Sequence, residues 1–334
     1  MNPRRYLFLF ILVLPVVLTP LFAAASILLF YRNDMAQTLL LSLNKPTEIV
    51  YFGDSVLRSR SACDTDQRGI NDFVAEASGK RVLLVANAAY SSRQYFELSG
   101  LFSQTRYQPD TVIIGINLRS FGPSWAGNLE WRHENDMRYV RALQGDAASL
   151  FALAADRVVG ADHDSAWLDQ PLVYAGTSYG TLREISELSV GPPLSVECLS
   201  DAARFAPQLR WKFIVQYLFT MEEDDEELAF VLATAQRLKA MGIQPLLYLT
   251  PVNIVDGTTL AGPPADEAIR ANAALVKRVI EREGFSVLDL SAALGPEFFA
   301  DKGCSCEHLQ AEGRRFVGER VASQLKLLGP LGTR

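Results

Sequence analysis

The chain has 334 residues, of which 49% are hydrophobic and 21% charged, with a net charge of −6. That length and apolar content supply a core for one large α/β domain or two smaller ones. The acidic balance, and basic residues scattered without interleaved aromatics, give no footing to a nucleic-acid partner.

The N-terminus sets the compartment. Arg4 and Arg5 precede an uncharged run from Tyr6 to Tyr31, about 26 residues. This is long enough to cross roughly 30 Å of hydrocarbon. Ala23-Ala24-Ala25 offers a small-residue cleavage site, but the apolar run continues through Ile27 to Phe30. The reading is therefore a retained transmembrane anchor rather than a removed signal peptide. Arg4 and Arg5 stay cytoplasmic and the remainder is exported. Residues 1–32 form a cytoplasmic stub and anchor, with the membrane contact at residues 6–31. Residues 33–46 form a juxtamembrane linker, with a helix over Met35 to Leu43 stopped by Asn44-Lys45-Pro46.

Residues 47–328 read as an α/β domain. Strands are expected at Glu48 to Phe52, Arg81 to Ala86, Thr111 to Ile116, Gln244 to Leu249 and Ser286 to Leu290. Helices are expected at Asp64 to Ser78, Arg93 to Ser103, Leu228 to Met241, Asp266 to Glu283 and Glu312 to Leu328. Gly79, Gly242 and Gly284 stand where helices stop. Short apolar strands alternating with helices imply a parallel sheet covered on both faces.

The rhythm breaks between about 122 and 222, which holds all four tryptophans, Trp125, Trp131, Trp167 and Trp211. The segment reads as a long insertion with helical pieces at 137–158 and 180–189, its tryptophans packing the core rather than lining a groove. The acidic run Glu222 to Glu227 reads as the first turn of the next helix, where carboxylates suit the dipole.

The cysteines are Cys63, Cys198, Cys304 and Cys306. An even number in an oxidising compartment permits disulfides. Cys63 is expected to pair with Cys304 or Cys306. No cysteine or histidine spacing suggests a metal site. No Gly-x-Gly-x-x-Gly follows the first strand and no Walker lysine is present, so no nucleotide cofactor is expected.

In parallel α/β sheets, sites lie outside the carboxyl ends of the strands. The polar clusters fall there. Ser55 follows the first strand, Asn87 to Ser92 the second and Asn117 the third, and His308 precedes the last helix. A serine and a histidine 253 residues apart can still be nucleophile and base, because such pairs form in space.

The pattern resembles the SGNH (GDSL-type) hydrolase superfamily over roughly 47–121 and 228–328. Gly53-Asp54-Ser55 matches the block whose serine is the nucleophile. Gly115-Ile116-Asn117 matches the block whose asparagine donates to the oxyanion. His308, followed by Leu309 and Gly313, matches the block whose histidine is the base. The resemblance implies a flavodoxin-like three-layer sandwich with a parallel sheet of about five strands. It also implies an oxyanion hole of the Ser55 and Ala89 amides and the Asn117 side chain.

Two positions depart from that pattern. Ala89 stands where the second block has glycine, and Ser305 stands where the last block has the aspartate that orients the histidine. Glu307, Asp301 or a backbone carbonyl would have to replace that acid. Arg119 is expected to pair with a structural acid, Asp54 to be structural, and His133 and His163 to lie on the surface. Together these readings point to an anchored, extracytoplasmic acyl esterase or O-acyltransferase of the inner membrane, acting on envelope or secreted glycans. The alternative is a catalytically inactive glycan-binding or envelope-assembly protein with a membrane-protein partner.

Overall fold

The computed structural model describes residues 34–60, 64–128, 133–149, 166–189, 207–300 and 307–328. The expected anchor, the four cysteines, Asp301 and Ser305 fall outside these residues, as do Trp131 and His163.

Five parallel strands form one sheet: β1 (Ile49–Gly53), β2 (Val82–Ala86), β3 (Thr111–Ile116), then β6 (Gln244–Leu249) and β7 (Val287–Asp289). Their order is β2-β1-β3-β6-β7. Counting only these strands gives 2-1-3-4-5, the flavodoxin-like order, which reverses direction beside β1 and β3. Every residue of β1 and β3 is buried. Such strands show no polar alternation because both sheet faces are covered.

Alternation survives in the partners of the side chains. Val50, Phe52, Val112, Ile114, Leu247 and Leu249 enter one hydrophobic cluster. Ile49, Tyr51, Ile113, Leu246 and Tyr248 enter another, on the opposite face. The first face is covered by α1 (Asp34–Ser42), α4 (Ser92–Ser99), α9 (Glu226–Ala240) and α11 (Pro264–Arg282). The second is covered by α3 (Ile70–Ser78) and α12 (Ala311–Leu328). The result is the three-layer sandwich expected from the sequence.

A short helix, α2 (Ser55–Arg58), comes directly after β1. A Cβ on Gly53 would lie 2.1 Å from Leu57 Cδ1, so glycine lets the helix fold back on the strand end.

The middle of the chain differs from its reading in detail. It contains α5 (Pro123–Gly127), α6 (Glu134–Leu143), α7 (Leu182–Ser189) and α8 (Pro207–Tyr217). It also contains an antiparallel hairpin, β4 (Pro171–Tyr174) and β5 (Thr177–Thr181), which sequence reasoning missed. Its turn is Ala175-Gly176, both residues at positive φ, the geometry of a type I′ hairpin turn. Leu172, Leu182, Ile185, Phe213 and Tyr217 join the first hydrophobic cluster. Trp125 is buried, and Trp167 and Trp211 pack against the core rather than lining an open groove.

Two other expectations are corrected. The helix expected from Asp64 begins only at Ile70, because residues 64–68 are held in an extended turn by Arg314. A helix over Ile254–Ala261, α10, was not anticipated, because Gly257 and two threonines mask its periodicity.

Candidate active site

Ser55, Asn117 and His308 arrive at the carboxyl edge of the sheet from β1, β3 and the segment before α12. Asp54 is the N-cap of α2, its Oδ1 accepting from the Val56 amide at 2.8 Å. Ser55 therefore stands in the first turn of α2, partly exposed. His308 Nε2 lies 3.4 Å from Ser55 Oγ. This is long for a hydrogen bond but ordinary for a catalytic pair without substrate.

The histidine is placed by its own segment. Phe299 and Leu309 form an antiparallel bridge, and the Ala300 amide donates to the His308 carbonyl at 2.7 Å. Arg314, fully buried in α12, fixes the residues between the histidine and that helix. Its Nη1 donates to the Leu309 carbonyl at 2.8 Å and to Asp64 Oδ2 at 2.6 Å. Its Nε and Nη2 donate to the Arg68 and Asp66 carbonyls. Asp64 Oδ1 also accepts from the Ala311 amide at 3.3 Å. The segment beginning beside Cys63 and the segment carrying His308 are therefore in contact.

Beneath Ser55 lies a buried polar cluster. Asn117 Nδ2 donates to Asp54 Oδ2 at 3.0 Å and to Glu307 Oε2 at 2.9 Å. Its Oδ1 accepts from the Arg119 amide at 3.2 Å, which fixes the orientation of the side-chain amide. Arg119 Nη1 lies 2.7 Å from Glu307 Oε2. Arg119 Nη2 lies 3.0 Å from Asp54 Oδ2 and 3.3 Å from Ser55 Oγ. The Tyr217 hydroxyl donates to Glu307 Oε1, and the Arg119 guanidinium stacks on Trp125, 4.6 Å from the ring centre. Arg119 and Glu307 are 4% and 0% exposed, so the charges are held by one another and not by water.

This cluster redraws three of the expected roles. Glu307 was a candidate orienting acid for His308. It turns into the cluster instead, because adjacent side chains on extended backbone point opposite ways. Asn117 was expected to face an oxyanion. Both of its N–H bonds are directed at carboxylates. Arg119 pairs with Asp54 and Glu307, in line with the expected pairing with a structural acid, but it also reaches the serine.

Ala89, expected with the Ser55 amide to donate from the backbone, sits in a tight turn in which the Tyr90 amide donates to the Asn87 carbonyl at 3.3 Å. Its φ is +60°, the left-handed region that glycine fills without strain. Asn87 Oδ1 accepts from the Ala88 amide at 2.9 Å. His133, expected on the surface, packs on this turn: Nε2 donates to the Ala88 carbonyl at 2.9 Å, and the ring meets Tyr90 edge-on.

Tyr217 and His133 were missed as neighbours of the site. Nothing in sequence spacing could have found them, since both lie in the irregular middle of the chain. Among the described residues no group of histidines, cysteines and carboxylates could hold a metal ion.

No protein-family model matches the chain and no curated protein matches it in sequence. Solved structures resemble the chain at low similarity. One is a carbohydrate acetylesterase family member from Sinorhizobium meliloti, at 10% identity and TM-score 0.37, covering 84% of this chain and 98% of that one. Another is an acetyl-xylooligosaccharide esterase from Geobacillus, at 13% identity and TM-score 0.39, covering 86% and 96%. A third is the aryl esterase of M. smegmatis, at 11% identity and TM-score 0.36, covering 85% and 100%. Likenesses this distant do not decide what the site does. The sheet order gives the chain a flavodoxin-like α/β fold, and the serine, asparagine and histidine gathered at its carboxyl edge resemble the SGNH (GDSL-type) arrangement.

Proposed function

We propose that the protein transfers acyl groups through a Ser55 acyl-enzyme, as an esterase or O-acyltransferase. The observation that carries this reading is the approach of His308 Nε2 to Ser55 Oγ at 3.4 Å, across 253 residues of sequence, at the edge of a parallel sheet. Ser55 Oγ attacks an ester carbonyl while His308 takes its proton, then returns it to the leaving alcohol. Water or an acceptor hydroxyl resolves the acyl-enzyme by the same steps.

The apolar run behind Arg4 and Arg5 supports an inner-membrane anchor and an extracytoplasmic site. O-acyl groups on envelope or secreted glycans are the substrates such a site would meet.

The engagement of Asn117 by two carboxylates favours a second reading, an inert glycan-binding or assembly module. Acetyl-ester hydrolysis and fluorophosphonate labelling by the full chain in detergent separate the two. Wild type should hydrolyse and label. Ser55→Ala should do neither, and His308→Ala should lose about 10³-fold or more in kcat/KM with its fold retained. Hydrolysis that survives both substitutions would rule out the acyl-enzyme.

A further inference from the structure

We propose that Arg119 is a catalytic residue that stabilises the oxyanion, the part first expected of Asn117. The inference rests on the acyl-enzyme reading above and deepens it. A tetrahedral intermediate needs donors aimed at the oxygen where charge develops. The Asn117 side chain has two N–H bonds, and Asp54 and Glu307 take both. The Arg119 Nη2 group also has two. One goes to Asp54 Oδ2 at 3.0 Å and the other to Ser55 Oγ at 3.3 Å. A permanent cation thus touches the reacting atom itself.

Its surroundings fix it there. Nη1 is held by Glu307 at 2.7 Å, the backbone amide by Asn117 Oδ1, and the flat face by Trp125. Asp54 and Glu307 hold the guanidinium in one orientation inside a site that water barely reaches. Preorganisation of this kind lets a donor act without reorganising during the reaction. Arginine suits the place because its planar fork serves two carboxylates and still presents an N–H outward.

The resting hydrogen bonds set the order of events. Ser55 Oγ accepts from Arg119 and points its own proton at His308 Nε2. As the ester carbonyl carbon arrives, the Oγ–H proton moves to His308 and the Oγ–C bond forms. The carbonyl π pair passes to its oxygen, which takes over the Arg119 N–H that Oγ releases. Collapse restores the carbonyl, breaks the bond to the alcohol oxygen, and returns the His308 proton to that alcohol.

The test uses the full chain in detergent with p-nitrophenyl acetate and a fluorophosphonate. Arg119→Lys keeps a cation between Asp54 and Glu307 but gives up the fork. It should lower kcat by about 10²-fold or more with KM little changed, and slow labelling in parallel, while unfolding stays cooperative. A folded Arg119→Lys with wild-type kcat would overturn the proposal. Should the variant fail to fold, the wild-type phosphonyl adduct decides. Its oxygen should lie within about 3 Å of Arg119 Nη2. An oxygen held by Asn117 Nδ2, with Arg119 turned away, overturns it. If wild type neither hydrolyses nor labels, or Ser55→Ala does both, the acyl-enzyme reading itself fails and this inference with it.

Discussion

Glu227 shows how burial dominates a titration in this chain. It lies buried in the first turn of α9, near Ser91 at the end of the second block. Burial pushes its carboxyl up to about 7, against weaker downward pulls from Ser91 and Arg93. Below the ordinary glutamate value both folded and unfolded chains hold the proton, and the stability is intact. As pH climbs towards about 7 the unfolded chain ionises while the folded one does not, so stability falls; above that the loss is complete. Glu227→Gln stays neutral throughout. Its melting temperature should exceed wild type by a few degrees at pH 8 and match it near pH 4.5. An offset equal at both pH values would show that charge is not the cause. At this scale the sequence revealed Ser55, His308 and Asn117 through their positions after strands. It did not reveal that Glu307 and Asn117 face each other. That depends on which way two neighbouring side chains turn, which strand periodicity does not report in a loop.

Among elements, the contact of α12 with α3 brings the His308 segment against the sheet. Gly318 makes it close. A Cβ there would lie 2.5 Å from Phe73 Cβ and 3.1 Å from the Ile70 carbonyl oxygen. Gly318→Ala should therefore push α12 outward and cost about 1–3 kcal/mol. The check is a lower urea midpoint at unchanged m-value. No loss of midpoint would mean that the two helices can part freely. The five strands were legible within a residue or so, because buried parallel strands are short apolar runs bounded by turn residues. The hairpin of β4 and β5 was not. Its strands carry Pro171, Ser178 and Gly180 in place of apolar alternation, and its register is irregular between Pro171 and Val173. The start of α3 was misread for a different reason. Three Arg314 donors hold Asp64 to Arg68 extended, a tertiary contact from about 250 residues away that no local window contains.

For the whole molecule, topology decides which ester the site would meet. Among the described residues no helix is long and apolar enough to cross a membrane, and the run that would do so, Tyr6 to Tyr31, precedes them. Each Leu, Ile or Phe in that run contributes about −0.3 to −0.6 kcal/mol to insertion. The full chain should resist carbonate extraction, and alkaline phosphatase fused after Arg334 should be active. A stable but inactive fusion would reverse the orientation and remove the envelope substrate with it.

Tyr217 ends α8, deep in the irregular middle of the chain, and its hydroxyl lands on Glu307, one residue before His308. The middle of the chain is therefore tied to the last block at this contact. Loss of Tyr217 would take one donor from a fully buried carboxylate that Arg119 and Asn117 also hold. A chimera that borrows Glu307 without Tyr217 would leave Oε1 without its tyrosine donor, directly beneath Ser55.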